Sequence, residues 1–510
     1  MKQRGIRCGL LLLALIGLLG ILFACSGPSN EGTETENPDK TLHYTMNLPK
    51  SGFIKGKRTQ TPDENGMYMP VTATAQLGYR FVGWSDGVTE PTRQDSVALG
   101  LNEVTALFEY DILDMPIVVL TTSTGKDVES KETYIGGSIC ILDVNGKVQY
   151  ESEAMEIRGR GNSTWNMEKK AYRIKLEKKE NLLNIGEGKA KSWVLLANHC
   201  DHSLQRVGLA FRMAGMLDGF DYVPGYQWVE VYLNGTYRGV YLLTEQTQVE
   251  NSRVDIDDTD FETNVKADFL IEKTAWDFDY GFTVKGERYG IKSDLSAKES
   301  VRNQQIEWID KTVTAAYDAM VTGNKATIEA LMDLDSLIDD YLLQEITKNF
   351  DVGFDSFYLY YTDGKLRFGP PWDFDLSLGN ANLGFENTSG LTAAVHPTNP
   401  EFDTSNPWFY QMMKHGWFRA MVVERWNEVK GKISTLPATV QTVGTQYNRS
   451  FCRNFEKWNI FGQNFARTTD ALLRLTTYDQ HSAYLSDWLT ARIAWLDACY
   501  SSKDFAKGNL

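Results

Sequence analysis

Pro371-Trp372-Asp373-Phe374-Asp375-Leu376-Ser377-Leu378-Gly379 places two acids one residue apart among aromatic, apolar and glycine neighbours. In an extended segment, Asp373 and Asp375 point to one side while Trp372 and Phe374 point to the other. Carboxylates pinned by a packed aromatic face suit Mg²⁺, which takes oxygen ligands. The same residues also describe an acidic turn after a hairpin. That hairpin is legible just upstream, where residues 357–361 and 365–368 read as strands around the turn pair Asp363-Gly364.

Working outward, helical periodicity dominates beyond about residue 268, at 301–321, 325–332, 337–347, 418–433, 438–455 and 482–500. Before that point strands prevail, at 116–122, 134–143, 154–158, 171–176 and 193–197. An amphipathic helix over 203–217 follows, with Leu204, Val207 and Phe211 on one face. A hairpin pairs 227–233 with 238–243 around Asn234-Gly235. A strand-rich half preceding a helix-rich half is an α+β order. The hinge between the halves is a natural place for a cleft.

Further back, residues 41–110 read as a small all-β domain. Val71-Thr72-Ala73-Thr74-Ala75 alternates like a strand, Gly78-Tyr79-Arg80-Phe81-Val82-Gly83-Trp84 forms another before the Ser85-Asp86-Gly87 turn, and residues 104–109 close it. Residues 26–40 are rich in Ser, Gly, Pro, Asn, Glu and Thr, the composition of a flexible tether. The chain opens with Lys2, Arg4 and Arg7 and an apolar run over 10–23 that is short for a membrane span. Leu22-Phe23-Ala24-Cys25 resembles a bacterial lipobox. The resemblance implies an exported chain whose signal peptide, residues 1–24, is removed and whose Cys25 thiol carries lipid.

The 510 residues carry a net charge of −15, which argues against a nucleic-acid binder. It leaves room for a locally basic pocket. Cys140, Cys200, Cys452 and Cys499 show no C-x-x-C pair, so zinc is not indicated. Disulfides are allowed in an exported protein, but the default reading is buried small residues. His199 and His202 flank Cys200 and Asp201, and the surroundings fit a strand-to-helix junction better than a metal cluster.

Ile157-Arg158-Gly159-Arg160-Gly161-Asn162-Ser163-Thr164-Trp165 is a glycine-rich turn after a strand, where backbone N–H groups can approach an anion. Arg158 and Arg160 strengthen that reading. In the next strand Arg173 and Lys175 share a face opposite Tyr172, Ile174 and Leu176. If the strands pair, Glu156, Arg158, Arg173 and Lys175 line one surface, which is either a solvated sheet face or a phosphate-binding roof.

Several motifs in order resemble the spore-coat CotH family of atypical protein kinases. They are Arg158-Gly159-Arg160-Gly161-Asn162-Ser163 with Lys169-Lys170-Ala171-Tyr172-Arg173-Ile174-Lys175, Leu195-Leu196-Ala197-Asn198 with Asp201 and Arg206, Gly239 to Gln246, and Pro371-Trp372-Asp373-Phe374-Asp375. The run Gly78-Tyr79-x-Phe81-x-Gly83-Trp84-x-Asp86-Gly87 resembles a divergent internalin-type B repeat, a spacer on bacterial surface proteins. The kinase resemblance spans about 116–379 and implies a bilobal kinase-like domain over 111–510. It implies transfer of the ATP γ-phosphoryl group to a protein hydroxyl with Mg²⁺. It makes Asp373 the metal-holding acid with Asp375 a second candidate, and Asp351 the acid beside the acceptor. Lys175 becomes the strand lysine on the phosphates, with Arg158, Arg160 and Glu245 as further cofactor contacts. Ser356 stands where the family often has Asn, which puts the metal grip in doubt unless Asp355 substitutes. Two other readings stand beside this one. One is an inactive kinase-like surface module binding a protein or glycan partner. The other is a glycosidase pairing Glu245 with Asp373.

Overall fold

The computed structural model describes residues 40–509 apart from 50, 77, 78, 111, 112, 258, 354, 383, 396–404 and 466. The expected signal with Cys25, and the tether up to residue 39, lie outside the described residues. Contacts divide the chain into two compact units, one ending at Asp111 and the other beginning at Ile112.

The first unit is all β: β1 (Leu42–Met46), β2 (Gly52–Lys55), β3 (Thr59–Gln60), β4 (Val71–Ala75), β5 (Tyr79–Trp84), β6 (Thr92–Arg93) and β7 (Glu103–Tyr110). They form a four-stranded sheet in the order β3-β1-β7-β5 and a three-stranded sheet in the order β2-β4-β6. Alternate residues such as Leu42, Tyr44, Val71, Trp84, Val104, Ala106 and Phe108 build one core. Arg93 is buried, and its charge is met by Asp86 at 2.6 Å and Asp95 at 2.7 Å, as a buried cation requires.

The second unit begins with β8 (Ile117–Thr122), β9 (Ile135–Leu142), β10 (Val148–Arg160), β11 (Ala171–Glu180) and β12 (Ala190–Leu196). Helix α1 (Arg206–Ala214) and the hairpin β13 (Tyr226–Leu233) and β14 (Thr236–Glu245) follow. These seven strands close into a barrel, β10-β11-β12-β14-β13-β8-β9. Closure was not anticipated from the sequence. It depends on the parallel pairing of β8 with β13, between strands about a hundred residues apart. Ile157, Ile174, Leu176, Trp193, Leu195, Val231, Tyr241 and Leu243 fill the barrel, so it is a packed core.

Next come β15 (Phe269–Lys273), β16 (Gly281–Val284) and β17 (Glu287–Ile291), in a region expected to be mostly helical. Helices α2 (Glu299–Thr322), α3 (Lys325–Leu331) and α4 (Leu334–Thr347) precede the hairpin β18 (Phe357–Thr362) and β19 (Lys365–Phe368). These five strands make a second sheet, β16-β17-β15-β18-β19. Helices α5 (Pro407–Met413), α6 (Gly416–Ile433), α7 (Leu436–Gln446), α8 (Asn448–Lys457), α9 (Asp470–Leu473), α10 (Tyr478–Tyr500) and α11 (Lys503–Lys507) complete the chain. Nearly every residue of α4 is buried, the mark of a helix packed on all sides. The molecule is thus mixed α+β, with an all-β N-terminal region and a helical C-terminal region. Among the described residues no helix is long and apolar enough to cross a membrane.

Candidate active site

Strand pairing gathers the acids. β18 and β19 are antiparallel neighbours, Leu359 facing Phe368, so the start of one lies beside the end of the other. Asp351, Asp355 and Ser356 precede β18, and Asp373 follows β19. On its other side β18 pairs with β15, whose end delivers Thr274 and Trp276 to the same place. Thr274 Oγ1 donates to Asp355 Oδ1 at 2.8 Å and Trp276 Nε1 to Asp355 Oδ2 at 2.7 Å. The expected alternation around Asp373 holds without a strand. Trp372 and Phe374 are buried, while Asp373 and Asp375 are half-buried. Asp373 sits at φ +63°, a region non-glycine residues visit at a cost.

These acids line one side of a cleft of about 570 Å³. The other side is the outer face of the barrel, with Arg158, Arg160, Arg173 and the turn at Gly161. β10 and β11 pair as expected, Arg158 opposite Arg173 and Glu156 opposite Lys175. Gly161 has φ +103°, open to glycine at little cost. Gly159 is required for a different reason, since a Cβ there would stand 2.1 Å from the Trp165 ring. Among the described residues, no carboxylate lies within ion-pair distance of Arg158, Arg160 or Arg173. Arg158 and Arg173 each leave a buried Nε without a partner. Arg160 stacks its guanidinium over Trp372, 5.5 Å from the ring centre.

The electrostatics follow from burial and crowding. Asp373 is pushed above the ordinary carboxylate range by burial and by Asp375, with Arg160 opposing. Asp375 is raised by burial and eased by the Cys200 thiol, which donates to Oδ2 at 3.2 Å. Asp351 is raised well above its ordinary value by burial, then by Asp373, Asp375 and Asp355. Arg160 is lowered by burial. Ser356 Oγ donates to Asp373 Oδ2 at 3.3 Å.

Two expected cofactor contacts fall elsewhere. Lys175 lies outside the cleft. Its side chain is about half exposed, 3.6 Å from Glu156, and lines a separate open groove. It shares a face with Arg173, but the cleft ends before it. Glu245 also lies outside the cleft, buried with Gly225 N at 2.9 Å and Arg253 at 3.5 Å. The Glu245–Asp373 pairing of the glycosidase reading is therefore not brought together. Asp201 and Arg206 form a fully buried pair at 2.5 Å. Arg206 also donates to the carbonyls of Ser377 and Leu378, so this pair fastens α1 to the loop after Asp375.

The cleft also holds residues that were not singled out. Lys169 is buried, its amine donating to Ala197 O, Val240 O and Asn454 Oδ1, and burial drives its pKa well below the ordinary value. Glu272 and Lys292 pair at 2.5 Å. Trp276 stands half exposed at the rim. A signal for it was present: Trp276-Asp277-Phe278-Asp279 repeats the tetrapeptide of residues 372–375. The four described cysteines are free, and only Cys200 is fully buried, so the reading of buried small residues fits that one alone. Among the described residues no three His, Cys, Asp or Glu side chains are gathered tightly enough to hold a metal ion.

A barrel and a helical region flank a cleft in which arginines with no carboxylate partner among the described residues face clustered acids, in a protein of mixed α+β class. The family model described as CotH kinase protein matches residues 157–496, well over half of the chain, and the chain belongs to that family. A divergent InlB B-repeat domain matches residues 41–112. No curated protein matches the chain.

Proposed function

We propose that this chain transfers the γ-phosphoryl group of ATP to a hydroxyl of a protein acceptor. The barrel serves as one lobe of a kinase-like arrangement, and the helical region with its five-stranded sheet serves as the other. One observation carries the reading: three arginines with no carboxylate partner among the described residues share a cleft with Asp351, Asp373 and Asp375. A phosphate chain matches the arginines in charge and bonding. A divalent cation relieves the repulsion among the acids.

The residues fit the groups they would hold. Mg²⁺ is usually bound through one or two protein carboxylates, with waters and phosphate oxygens completing its octahedron. Asp373 and Asp375 satisfy that need without a third protein ligand. Bound ATP would supply the phosphoryl group, and Mg²⁺ would neutralise its charge. Arg158, Arg160 and Arg173 bind and orient the phosphates from the barrel side. Asp351 takes the proton of the acceptor hydroxyl, a role its raised proton affinity suits. Arg173 replaces Lys175 as the strand cation of this reading.

A second reading has its own support. Both oxygens of Asp355 are already engaged by Thr274 and Trp276, and Ser356 offers only a neutral hydroxyl. A weak cation grip would leave a kinase-like surface module that binds a protein or glycan partner without transfer. Calorimetry of ATP binding with and without Mg²⁺ separates the two. Mg²⁺-dependent binding that disappears in Asp373→Ala is the expected result. No binding under either condition moves the conclusion to the surface module.

The N-terminal pattern supports export and a lipid anchor at Cys25, with the β unit as a spacer. Cys25→Ser is expected to move the protein from the membrane to the soluble fraction. Retention in the membrane fraction would contradict the anchor.

A further inference from the structure

β9 starts beside the end of β10, Ile135 opposite Ile157, and β8 ends beside the end of β13, Leu120 opposite Leu233. The β8–β9, β10–β11 and β13–β14 connections therefore share one end of the barrel. With Trp458 at the end of α8, the first two connections and the start of β14 enclose a pocket of about 410 Å³ there. Ligand sites commonly measure about 300–1,000 Å³, and barrel mouths are favoured places for them. The pocket is separate from the cleft. Residues 161–164, 167 and 169 line the cleft, whereas Trp165, Glu168 and Lys170 line the mouth, so one segment forms the wall between them.

The cleft sorts its arginines to one side and its acids to the other, but the mouth interleaves them. Asp127 pairs with Arg238. Lys170 Nζ donates to Trp165 O at 2.6 Å and lies over the Trp165 ring. Trp458 Nε1 donates to Arg238 O at 2.8 Å, which fixes the second indole. Glu129 and Glu168 are exposed, and among the described residues neither has an ion-pair partner. Asp127, Glu129 and Glu168 nearly balance Lys170 and Arg238, so the lining selects neither a polyanion nor a polycation. What it offers is held aromatic surface, two uncommitted carboxylate acceptors, and an ammonium with donors to spare after Trp165 O. A ring with apolar C–H faces and hydroxyls that both donate and accept answers all three.

We propose that the barrel-mouth pocket binds a neutral saccharide, with Glu129 and Glu168 accepting from its hydroxyls, Lys170 donating to them, and Trp165 and Trp458 framing the ring. Hydrogen bonds to charged groups supply the strong contacts, and the indoles supply the apolar ones. The site shares no residue with the phosphoryl-transfer reading and does not require ATP to bind.

Cellohexaose, maltohexaose and chitohexaose are the neutral probes, titrated into the full chain by calorimetry, with a heparin hexasaccharide and hexalysine as charged comparators. At least one neutral hexasaccharide is expected to bind, and neither comparator. Glu129→Gln and Glu168→Gln change exposed side chains by one atom each, and unchanged circular dichroism shows that they fold. Each should weaken binding of that sugar about tenfold or more and leave Mg²⁺-dependent ATP binding at the parental level. No binding of any neutral hexasaccharide overturns the proposal, as does tighter binding of either comparator. Parental sugar affinity in both variants overturns it too, since the sugar then sits elsewhere on the chain. Sugar binding as expected without ATP binding keeps this site and removes the phosphoryl-transfer reading alone. ATP binding without sugar binding removes this site alone.

Discussion

Arg173 and Lys175 lie two residues apart on one face of β11, and that single step separates a cleft residue from a surface residue. Arg173 is partly buried, its Nη2 donating to Ser192 Oγ at 3.5 Å, and burial lowers its pKa. A cation so placed gains most when a phosphate arrives. Lys175 is half exposed beside Glu156, where ion pairs contribute little. Arg173→Ala is expected to weaken Mg²⁺-dependent ATP binding about 10- to 100-fold, the equivalent of about 1.5–3 kcal/mol for hydrogen bonds to a charged group. Lys175→Ala should change it by less than about fivefold. Calorimetry on the two variants decides the matter, and the reverse ranking would return the phosphate role to Lys175. The shared face of Arg173 and Lys175 was legible from alternation alone. Which of them lines the cleft was not, because that depends on where β18 and β19 end.

Among the elements, α4 carries the clearest pH signature. Asp340 is 2% exposed and accepts from Gln344 Nε2 at 3.1 Å. Burial raises its pKa from 3.8 to about 7, with Asp339 adding to the rise. A raised carboxyl binds its proton more tightly in the folded chain. Its contribution is therefore most favourable below about pH 4 and declines until about pH 7, at about 1.4 kcal/mol per unit of pKa difference. Asp340→Asn keeps an acceptor for Gln344 and cannot ionise. It should melt higher than the parent at pH 8 and close to it at pH 4. A difference independent of pH would place the cost elsewhere. α4 itself was legible from its apolar periodicity, as were α2, α6 and the β18–β19 hairpin. β15 to β17 were not, since a short apolar run such as Phe269-Leu270-Ile271 reads equally as buried helix. The expected single helix over 438–455 is two, broken at Tyr447, whose φ is −110° and ψ 16°. The Tyr447 ring packs on Trp228 of β13, a contact more than two hundred residues distant that no local pattern contains.

At the scale of the whole molecule, each compact unit has a core of its own. In the first unit Tyr44, Trp84 and Phe108 pack together around β1, β5 and β7. In the second, the barrel interior and the large cluster around α4, α6 and α10 do the same work. Cooperative unfolding follows compact units, and two units that share no core predict two thermal transitions. The cleft belongs entirely to the second unit, and a ligand that binds only the folded form stabilises only the unit that holds it. At a hundred times its dissociation constant, Mg²⁺ with ATP should stabilise that unit by about 2.7 kcal/mol. Scanning calorimetry of the full chain is expected to show one transition moving upward with Mg²⁺ and ATP together while the other stays in place. Asp373→Ala should hold both still. If the two transitions move together, the units unfold as one. If neither moves, the arginine–carboxylate cleft does not take a nucleotide.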